Sequence, residues 1–203
     1  MAFPLELTSV LTGLTPSQLR RLRQKEIVVP EVRAKRPPLY SFRDLIALRT
    51  VAYLRAATSL QKISTAFANL DVFEMTDHPS AYKFSTDGRS IVVKGPDGQP
   101  IDLVLRKGQI ETVSFAEVTK QFQNFRENTV VDFFNPHRNV QVEPHRMGGW
   151  PTVTGTRIPY DTIARIVDNN TIRPEDVEDF YPGVSAEAAR DAVDFDASIR
   201  EVS

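Results

Sequence analysis

The chain lacks several features on which whole classes of protein depend. It contains no cysteine, which excludes a disulfide framework, a thiol redox switch and thiolate metal ligands. Its three histidines, His78, His137 and His145, are scattered and show no metal-ligand spacing. No apolar run is long enough to cross a bilayer, and the first residues lack the charge and apolar stretch of a signal peptide. We therefore expect a cytoplasmic protein with no membrane segment, metal or cofactor.

The motifs of common enzymes are missing as well. No glycine-rich phosphate loop precedes a predicted helix. Ser59 and Lys62 have the serine–lysine spacing of penicillin-recognising enzymes, but the partner motifs are absent, and Ser59 is better explained as a helix cap. Asp191, Asp194 and Asp196 fit the solvated face of a helix better than a metal site. We expect no catalytic residues and no enzymatic activity.

Charge is distributed unevenly along the chain, although the formal net charge is only -1. Residues 1–70 hold 11 lysines and arginines against 4 aspartates and glutamates. Residues 71–149 hold 9 against 11, and residues 150–203 hold 5 against 11. A basic head and an acidic tail indicate two different partners, with two ordinary solvated faces as the alternative.

The most informative stretch is a capped helix followed by a basic turn. Thr15 is a predicted N-cap, Pro16 suits the first helical position, and Gln18 completes a capping box. A short cationic helix beside a basic turn suits a DNA groove and the phosphates beside it. Gln18 and Arg21 are best placed to reach base edges. We predict DNA contacts from Thr15, Ser17, Gln18, Arg20, Arg21, Arg23, Lys25, Arg33, Lys35, Arg36, Tyr40 and Arg43.

The N-terminal segment, residues 1–75, is predicted to form four helices around this turn. Gly13 is a predicted C-cap of the first helix, and Ser41 with Asp44 forms a capping box at the start of the third. Ser59 begins the fourth. Two helices, a basic turn and two further helices describe a winged helix-turn-helix domain.

The middle segment, residues 76–140, is predicted to be a small β-hairpin and helix module. Strands at 90–94 and 101–105 flank a turn, a third strand is predicted at 109–113, and a helix at 115–126. Apolar side chains continue along this helix and beyond it: Phe115, Val118, Phe122, Phe125, Val130, Val131, Phe133 and Phe134. We predict that they form core or homodimer packing, with a ligand pocket as the alternative.

The last segment, residues 141–203, begins with a turn rich in glycine and proline between Gly148 and Tyr160. This density indicates a structured turn and not a flexible linker. Three short helices are predicted after it, near 160–167, 174–181 and 185–200. These three helices are predicted to form a second, smaller helix-turn-helix-like domain. The predicted fold is therefore α+β in three parts.

The N-terminal pattern resembles the MerR-type regulators, whose DNA-binding domain has a recognition helix followed by a basic wing. Residues 14–22 stand where that family has its recognition helix, residues 30–41 match its wing, and residues 59–63 match the start of its fourth helix. The family usually continues into one long coiled-coil helix, whereas a β-hairpin segment follows here. The cysteines of its metal sensors are absent. The resemblance implies DNA binding but not that family's ligand sensing.

The C-terminal pattern carries a second resemblance. Residues 149–159 read GWPTVTGTRIP, which is similar to the G-x-P-x-x-x-G-T-R-I-P signature of a small domain of unknown function. That domain is widespread in bacteria and is often encoded beside PIN-type toxin genes. Together the two resemblances imply a VapB-type antitoxin of the mycobacterial kind. Such a protein binds a PIN-type ribonuclease toxin, neutralises it, and represses its own operon.

This resemblance and the acidic tail predict a toxin-binding surface within residues 150–203. PIN-type ribonucleases carry basic residues around metal-binding carboxylates, so acidic side chains can steer association with them, and an arginine can reach into the carboxylate site. We predict toxin contacts from Trp150, Thr156, Arg157, Asp176, Glu178, Asp179, Asp191 and Asp194. The alternatives are a purely architectural role for the Gly-rich turn and a toxin site in the middle module.

Two other functions fit the same sequence. One is a ligand-responsive MerR-like transcriptional regulator that uses the middle segment as an effector pocket and has no toxin partner. The other is a purely architectural or recombination-assisting DNA-binding protein. A small PIN-type coding sequence beside this gene would favour the antitoxin over both.

Overall fold

The computed structural model describes residues 2–70, 75–95, 98–104, 115–168 and 172–202, and over these ranges the chain is an α+β fold, as predicted. The helices are α1 (Leu5–Thr12), α2 (Pro16–Gln24), α3 (Phe42–Ala57), α4 (Leu60–Asn69), α5 (Phe115–Thr119), α6 (Tyr160–Asp168), α7 (Val177–Phe180) and α8 (Ala186–Arg200). The strands are β1 (Phe84–Thr86), β2 (Ile91–Lys94), β3 (Pro100–Asp102), β4 (Phe122–Gln123), β5 (Thr129–Val130), β6 (Val140–Gln141) and β7 (Thr152–Val153). Short 3-10 turns lie at Pro79–Ala81, Met147–Gly149 and Pro174–Asp176.

The N-terminal helices begin where their capping residues predict. Thr15 and Gln18 form a reciprocal capping box at α2, in which the Thr15 N–H donates to Gln18 Oε1 over 2.7 Å. Ser41 and Asp44 form a second box at α3. Gly13 follows α1 in the left-handed conformation, with φ 71°. These local signals depend only on residues within one turn, which is why the sequence predicts them correctly.

The first sheet contains β1, β2 and β3 in that order, and both of its pairings are antiparallel. The hairpin predicted from 90–94 and 101–105 is confirmed as β2 and β3. Strand β1, whose Phe84 lies opposite Val93, is an addition that the sequence did not predict. The strand predicted at 109–113 lies outside the described residues.

The helix predicted over 115–126 is wrong beyond Thr119. The chain continues instead as an antiparallel hairpin of β4 and β5. In its turn, Asn124 Oδ1 accepts the N–H of Arg126 at 2.9 Å and that of Asn128 at 3.1 Å. An asparagine side chain that bonds nearby N–H groups favours a turn over a helix. This local preference prevails over the apolar periodicity.

One hydrophobic core runs from the N-terminal helices to the C-terminal ones. Helix α1 packs against both α3 and α8, and α6 packs along α8. The ring of Phe3 lies 5.6 Å from that of Trp150, which stacks on Tyr160. Tyr160 in turn meets the edge of Phe195 at 4.9 Å. The three predicted C-terminal helices are present, and they are built onto the N-terminal segment.

Three of the eight residues of the apolar stripe that was predicted to form core or homodimer packing are buried within their own chain. Val118, Val130 and Phe133 are 4%, 1% and 0% exposed. Core packing, one of the two predicted roles, is therefore confirmed for these three residues, and side chains buried in this way are not available to a second copy. Their burial equally leaves no effector pocket among them. Homodimer formation by another surface stays a prediction.

Candidate functional site

The outward face of α2 carries cations without acidic partners. Leu19 and Leu22 face the core, 1% and 2% exposed, as predicted. Arg20, Arg21 and Lys25 are exposed, and no salt bridge in the described part of the chain involves any of them. Because these charges are not neutralised within the protein, the face can attract a polyanion.

The basic turn after α2, the wing, spans residues 33–39. Its two end residues exchange both backbone hydrogen bonds, at 3.1 and 2.8 Å. Arg23 of α2 donates to the carbonyl oxygen of Ala34 over 3.1 Å, which ties the wing to the helix. Lys35 and Arg36 lie exposed at its tip. Helix and wing therefore lie side by side, and the groove between them is lined by Arg23, Lys35 and Arg36 together with the exposed carboxylate of Glu26.

Two residues predicted to contact DNA serve the fold instead. Tyr40 is 1% exposed, because its backbone pairs with Phe3 and its ring enters the core. Burial raises the pKa of its hydroxyl above the ordinary value. Arg43 is exposed, but its guanidinium pairs with the carboxylate of Glu31 at 2.6 Å. The prediction of a DNA contact is therefore wrong for Tyr40, and Arg43 is already neutralised.

The polar residues at the start of α2 are partly engaged in capping. The hydroxyl of Thr15 accepts the N–H of Gln18 and lies 2.9 Å from the hydroxyl of Ser17. Gln18 uses its Oε1 to accept the N–H of Thr15. The amide nitrogen of Gln18, a donor, is not used in this capping box and is available for a base contact.

Arg49 is a buried side chain with a structural role that the sequence did not reveal. It is 0% exposed, and its guanidinium lies 5.2 Å from the Phe122 ring and 5.5 Å from the Phe133 ring. It donates at 2.5 to 3.1 Å to the carbonyl oxygens of Leu11, Val118, Thr119, Lys120 and Val131. Burial lowers its pKa to about 10, so it remains charged at neutral pH. Arg49 therefore clamps both flanks of the β4–β5 hairpin to α1 and α3.

Gly13 seats the same hairpin against the turn between α1 and α2. A Cβ atom at this position would lie 2.3 Å from a methyl group of Val130. The side-chain amide of Asn124 donates to the carbonyl oxygen of Gly13 at 3.3 Å. Close backbone approach and a positive φ both require glycine here. The hairpin turn is consequently held next to the first turn of α2.

Part of the predicted acidic surface is engaged in ion pairs. Asp176 accepts from Arg173 at 2.9 Å, which lowers the pKa of its carboxyl group. Asp191 is half-buried, accepts from the amide of Asn139 at 2.5 Å and lies 3.6 Å from His137 Nδ1. Asp191 therefore anchors α8 to the segment before β6, and we remove it from the predicted partner surface.

The remaining acidic residues lie in the open. Glu178, Asp179 and Asp194 are exposed. Phe180, which follows the first two directly, is 61% exposed. An exposed aromatic ring beside carboxylates is typical of a protein contact surface. Phe180 was not predicted from the sequence, because no local pattern shows which aromatic side chain of a short helix stays exposed.

The Gly- and Pro-rich turn is held largely by its own hydrogen bonds. Thr156 Oγ1 donates to the carbonyl oxygen of Val153 at 2.9 Å. Trp150 Nε1 donates to Asp161 Oδ1 at 3.1 Å. Arg157, by contrast, is exposed and forms no salt bridge within the described residues. Of the three residues predicted here, Arg157 is the one whose side chain is free to reach a partner.

A carboxylate–imidazole cluster lies at the start of α3, where ligand atoms of Glu31, Asp44 and His78 all fall within 4.8 Å of one another. One oxygen of Asp44 accepts the N–H groups of Glu31 and Ser41, and the other faces His78 Nε2 at 3.2 Å. The carboxylate of Glu31 accepts hydrogen bonds from the hydroxyl of Ser41 and the guanidinium of Arg43. Hydrogen bonds within the fold thus account for the cluster.

Comparison with known proteins gives one match. A family model described as a protein of unknown function (DUF433) matches residues 140–195, from β6 into α8. No curated protein and no solved structure matches significantly. The resemblance of residues 149–159 to a domain of unknown function is therefore confirmed. Within the residues that the structure describes, no helix has the length and apolar character needed to span a membrane.

Proposed function

We propose that this chain is a DNA-binding antitoxin that represses its own operon and neutralises a PIN-type ribonuclease. The observation that carries the DNA-binding part is the face formed by α2 and the wing. Its exposed cations, Arg20, Arg21, Lys25, Lys35 and Arg36, form no salt bridges among the described residues. Phosphates are the partners that such a face attracts most strongly.

The geometry of α2 supports a groove contact. The helix has nine residues from Pro16 to Gln24, and its apolar side faces the core. A helix of this length, docked by one side, leaves its opposite side free to enter a major groove. The hydrogen bond from Arg23 to Ala34 fixes the wing relative to the helix. Both elements can therefore contact one duplex without a costly rearrangement.

The toxin-binding part is supported by a separate region. Residues 140–195 match a family model of unknown function, and domains with that signature are often encoded beside PIN-type toxin genes. Glu178 and Asp179 directly precede Phe180 in the chain, and all three side chains are exposed. Carboxylates can steer association with a basic ribonuclease surface, and a central aromatic side chain supplies contact area. Arg157 offers a free cation for a carboxylate of the partner.

A ligand-responsive regulator is the second function that the sequence allows. Its effector pocket was placed in the aromatic stripe of the middle segment. Val118, Val130 and Phe133 of that stripe are buried in the core and line no such pocket. We favour the antitoxin because residues 140–195 match the family model of unknown function.

The experiment begins with the genes on either side of this one and pairs this chain with any small PIN-type protein encoded there; the absence of such a gene would weaken the proposal. Co-expression should yield a complex that elutes as one species in size-exclusion chromatography, and the isolated neighbour should cleave RNA only when this chain is absent. A neighbour that neither binds this chain nor loses ribonuclease activity in its presence would contradict the antitoxin assignment. DNA binding is measured separately, so the two parts of the proposal can fail independently.

A further inference from the structure

A pocket of about 370 Å³ lies between α2, α3 and the turn of the β4–β5 hairpin. Three arginines from three separate elements line it: Arg21 of α2, Arg55 of α3 and Arg126 of the hairpin turn. Ser17 of α2 and Phe125 of the hairpin turn also line the pocket. Arginines repel one another, so their convergence, with no carboxylate among the described residues that line the pocket, indicates a site for an anion.

Two of these arginines form cation–π contacts with the ring of Phe125. The guanidinium carbons of Arg55 and Arg126 lie 4.7 and 5.5 Å from the centroid of the Phe125 ring. No salt bridge in the described ranges involves Arg21, Arg55 or Arg126, and none joins Arg126 to its exposed neighbour Glu127. A cation–π contact orients a guanidinium group but does not neutralise it. The pocket therefore keeps its positive charge and most of its N–H donors.

We propose that the β4–β5 hairpin is a second wing, and that Arg21, Arg55 and Arg126 bind a backbone phosphate of the DNA that α2 contacts. Helical spacing places Arg21 on one flank of α2 and Arg23 on the other, with Arg20 pointing outward between them. Arg23 joins the wing at residue 34. The hairpin turn thus occupies the flank that the wing leaves open.

The second wing is held rigidly before any DNA arrives. Arg49 bonds carbonyl oxygens on both flanks of the hairpin, at Val118 and Val131 among others. Gly13 and Asn124 fix its turn to the start of α2. A preorganised loop loses little conformational entropy when it binds. Buried Arg49 therefore positions the hairpin that carries Arg126, without contacting the phosphate itself.

This inference rests on the proposed DNA binding and is tested with the full-length chain. The probe is a fluorescein-labelled DNA duplex with the sequence that lies upstream of the gene for this chain. Affinity is measured by fluorescence anisotropy across a range of KCl concentrations. Arg126→Ala should make the negative slope of log K against log salt shallower by about one unit, because one phosphate contact is lost. Arg126→Lys should retain most of the slope. Arg165→Ala removes the same charge from α6 and should leave the slope unchanged.

The outcomes separate this inference from the function on which it rests. If Arg36→Ala lowers the slope but Arg126→Ala does not, the second wing is wrong and DNA binding stands. If the wild type does not bind the duplex at low salt, both are contradicted. Calorimetric titration with inorganic phosphate distinguishes a free anion from a DNA phosphate. Phosphate binding that Arg126→Ala abolishes, with an unchanged DNA slope, would assign the pocket to a small anion and overturn the proposal.

Discussion

The two charged ends of this chain use their charges in opposite ways. Within residues 150–203, four of the five arginines pair with carboxylates of their own chain, and Arg157 is the exception among the described residues. Within residues 1–70, the exposed cations of α2 and the wing have no such partner in the part of the chain that the structure describes, whereas Arg43 pairs with Glu31. Charges that the fold has already neutralised cannot attract a partner. Pairing, more than net charge, therefore identifies the face that is prepared for a polyanion.

The largest effect is expected at Arg49, the buried cation of the basic end, whose charge serves the fold and not a partner. Arg49→Met leaves five carbonyl oxygens without their donor and should lower the free energy of unfolding by about 4 kcal/mol. Urea unfolding followed by circular dichroism measures this loss. Arg138→Met is the control, because that exposed arginine pairs with Glu187 at the surface and should cost at most about 0.5 kcal/mol. Equal losses in the two variants would show that Arg49 is not a clamp.

The next largest effect is expected at Gly13. Gly13→Ala brings a Cβ atom to 2.3 Å from Val130 in a backbone with φ 71°, and we expect a loss of about 3 kcal/mol in the free energy of unfolding. Gly155→Ala is the matched control: its φ is 77°, but no described residue other than its chain neighbours lies within 4 Å of the added Cβ. Strain alone should cost that variant about 1 kcal/mol. If thermal and urea unfolding give the same loss for both, the contact with the hairpin does not stabilise the fold.

A smaller effect is expected at the acidic end. Phe180→Ala should weaken binding of the co-expressed ribonuclease by about 2 kcal/mol, roughly thirtyfold, because an exposed aromatic anchor is lost. Calorimetric titration of the purified partner measures the affinity. Val32→Ala, which truncates a 49% exposed side chain in the basic region, should leave that affinity unchanged. Point substitutions are preferred to deletion of the C-terminal segment, because α8 packs against α1 and its loss would open the core.

The smallest effect concerns the paired charges themselves. The hydrogen bond from Arg173 lowers the pKa of Asp176. A lowered pKa means that this pair stabilises the fold at pH values above the carboxyl pKa of the unfolded chain, and that the stabilisation disappears as the pH falls through the lower, folded-state pKa. Arg173→Ala should raise the pKa of Asp176 towards its ordinary value in an NMR titration. An unchanged pKa would mean that the pair does not persist in solution.

Local features of this fold could be predicted from the sequence, and long-range ones could not. The caps at Thr15, Ser41 and Gly13 depend on neighbouring residues, and all three were predicted correctly. The burial of Arg49 depends on carbonyl oxygens from residues 11 to 131, which no local pattern encodes. Tyr40 was misassigned for the same reason, since its partner Phe3 lies far away in the sequence.

The candidate site shows the same limit. Helical spacing was enough to predict the exposed face of α2. The hairpin beside it was not predicted, although the turn formed by Asn124 carried a local signal that the apolar periodicity obscured. The meeting of Arg21, Arg55 and Arg126 is a property of the folded chain alone, because it joins three elements that are separated in the sequence.

The most direct test of the central claim is the salt dependence of DNA binding by the basic face. Anisotropy with a duplex from upstream of its own gene should show binding that weakens steeply with KCl. Arg20→Ala and Arg36→Ala should each reduce the slope by about one unit, while Arg165→Ala leaves it unchanged. Absence of binding at low salt, or slopes that do not respond to Arg20 and Arg36, would contradict the account.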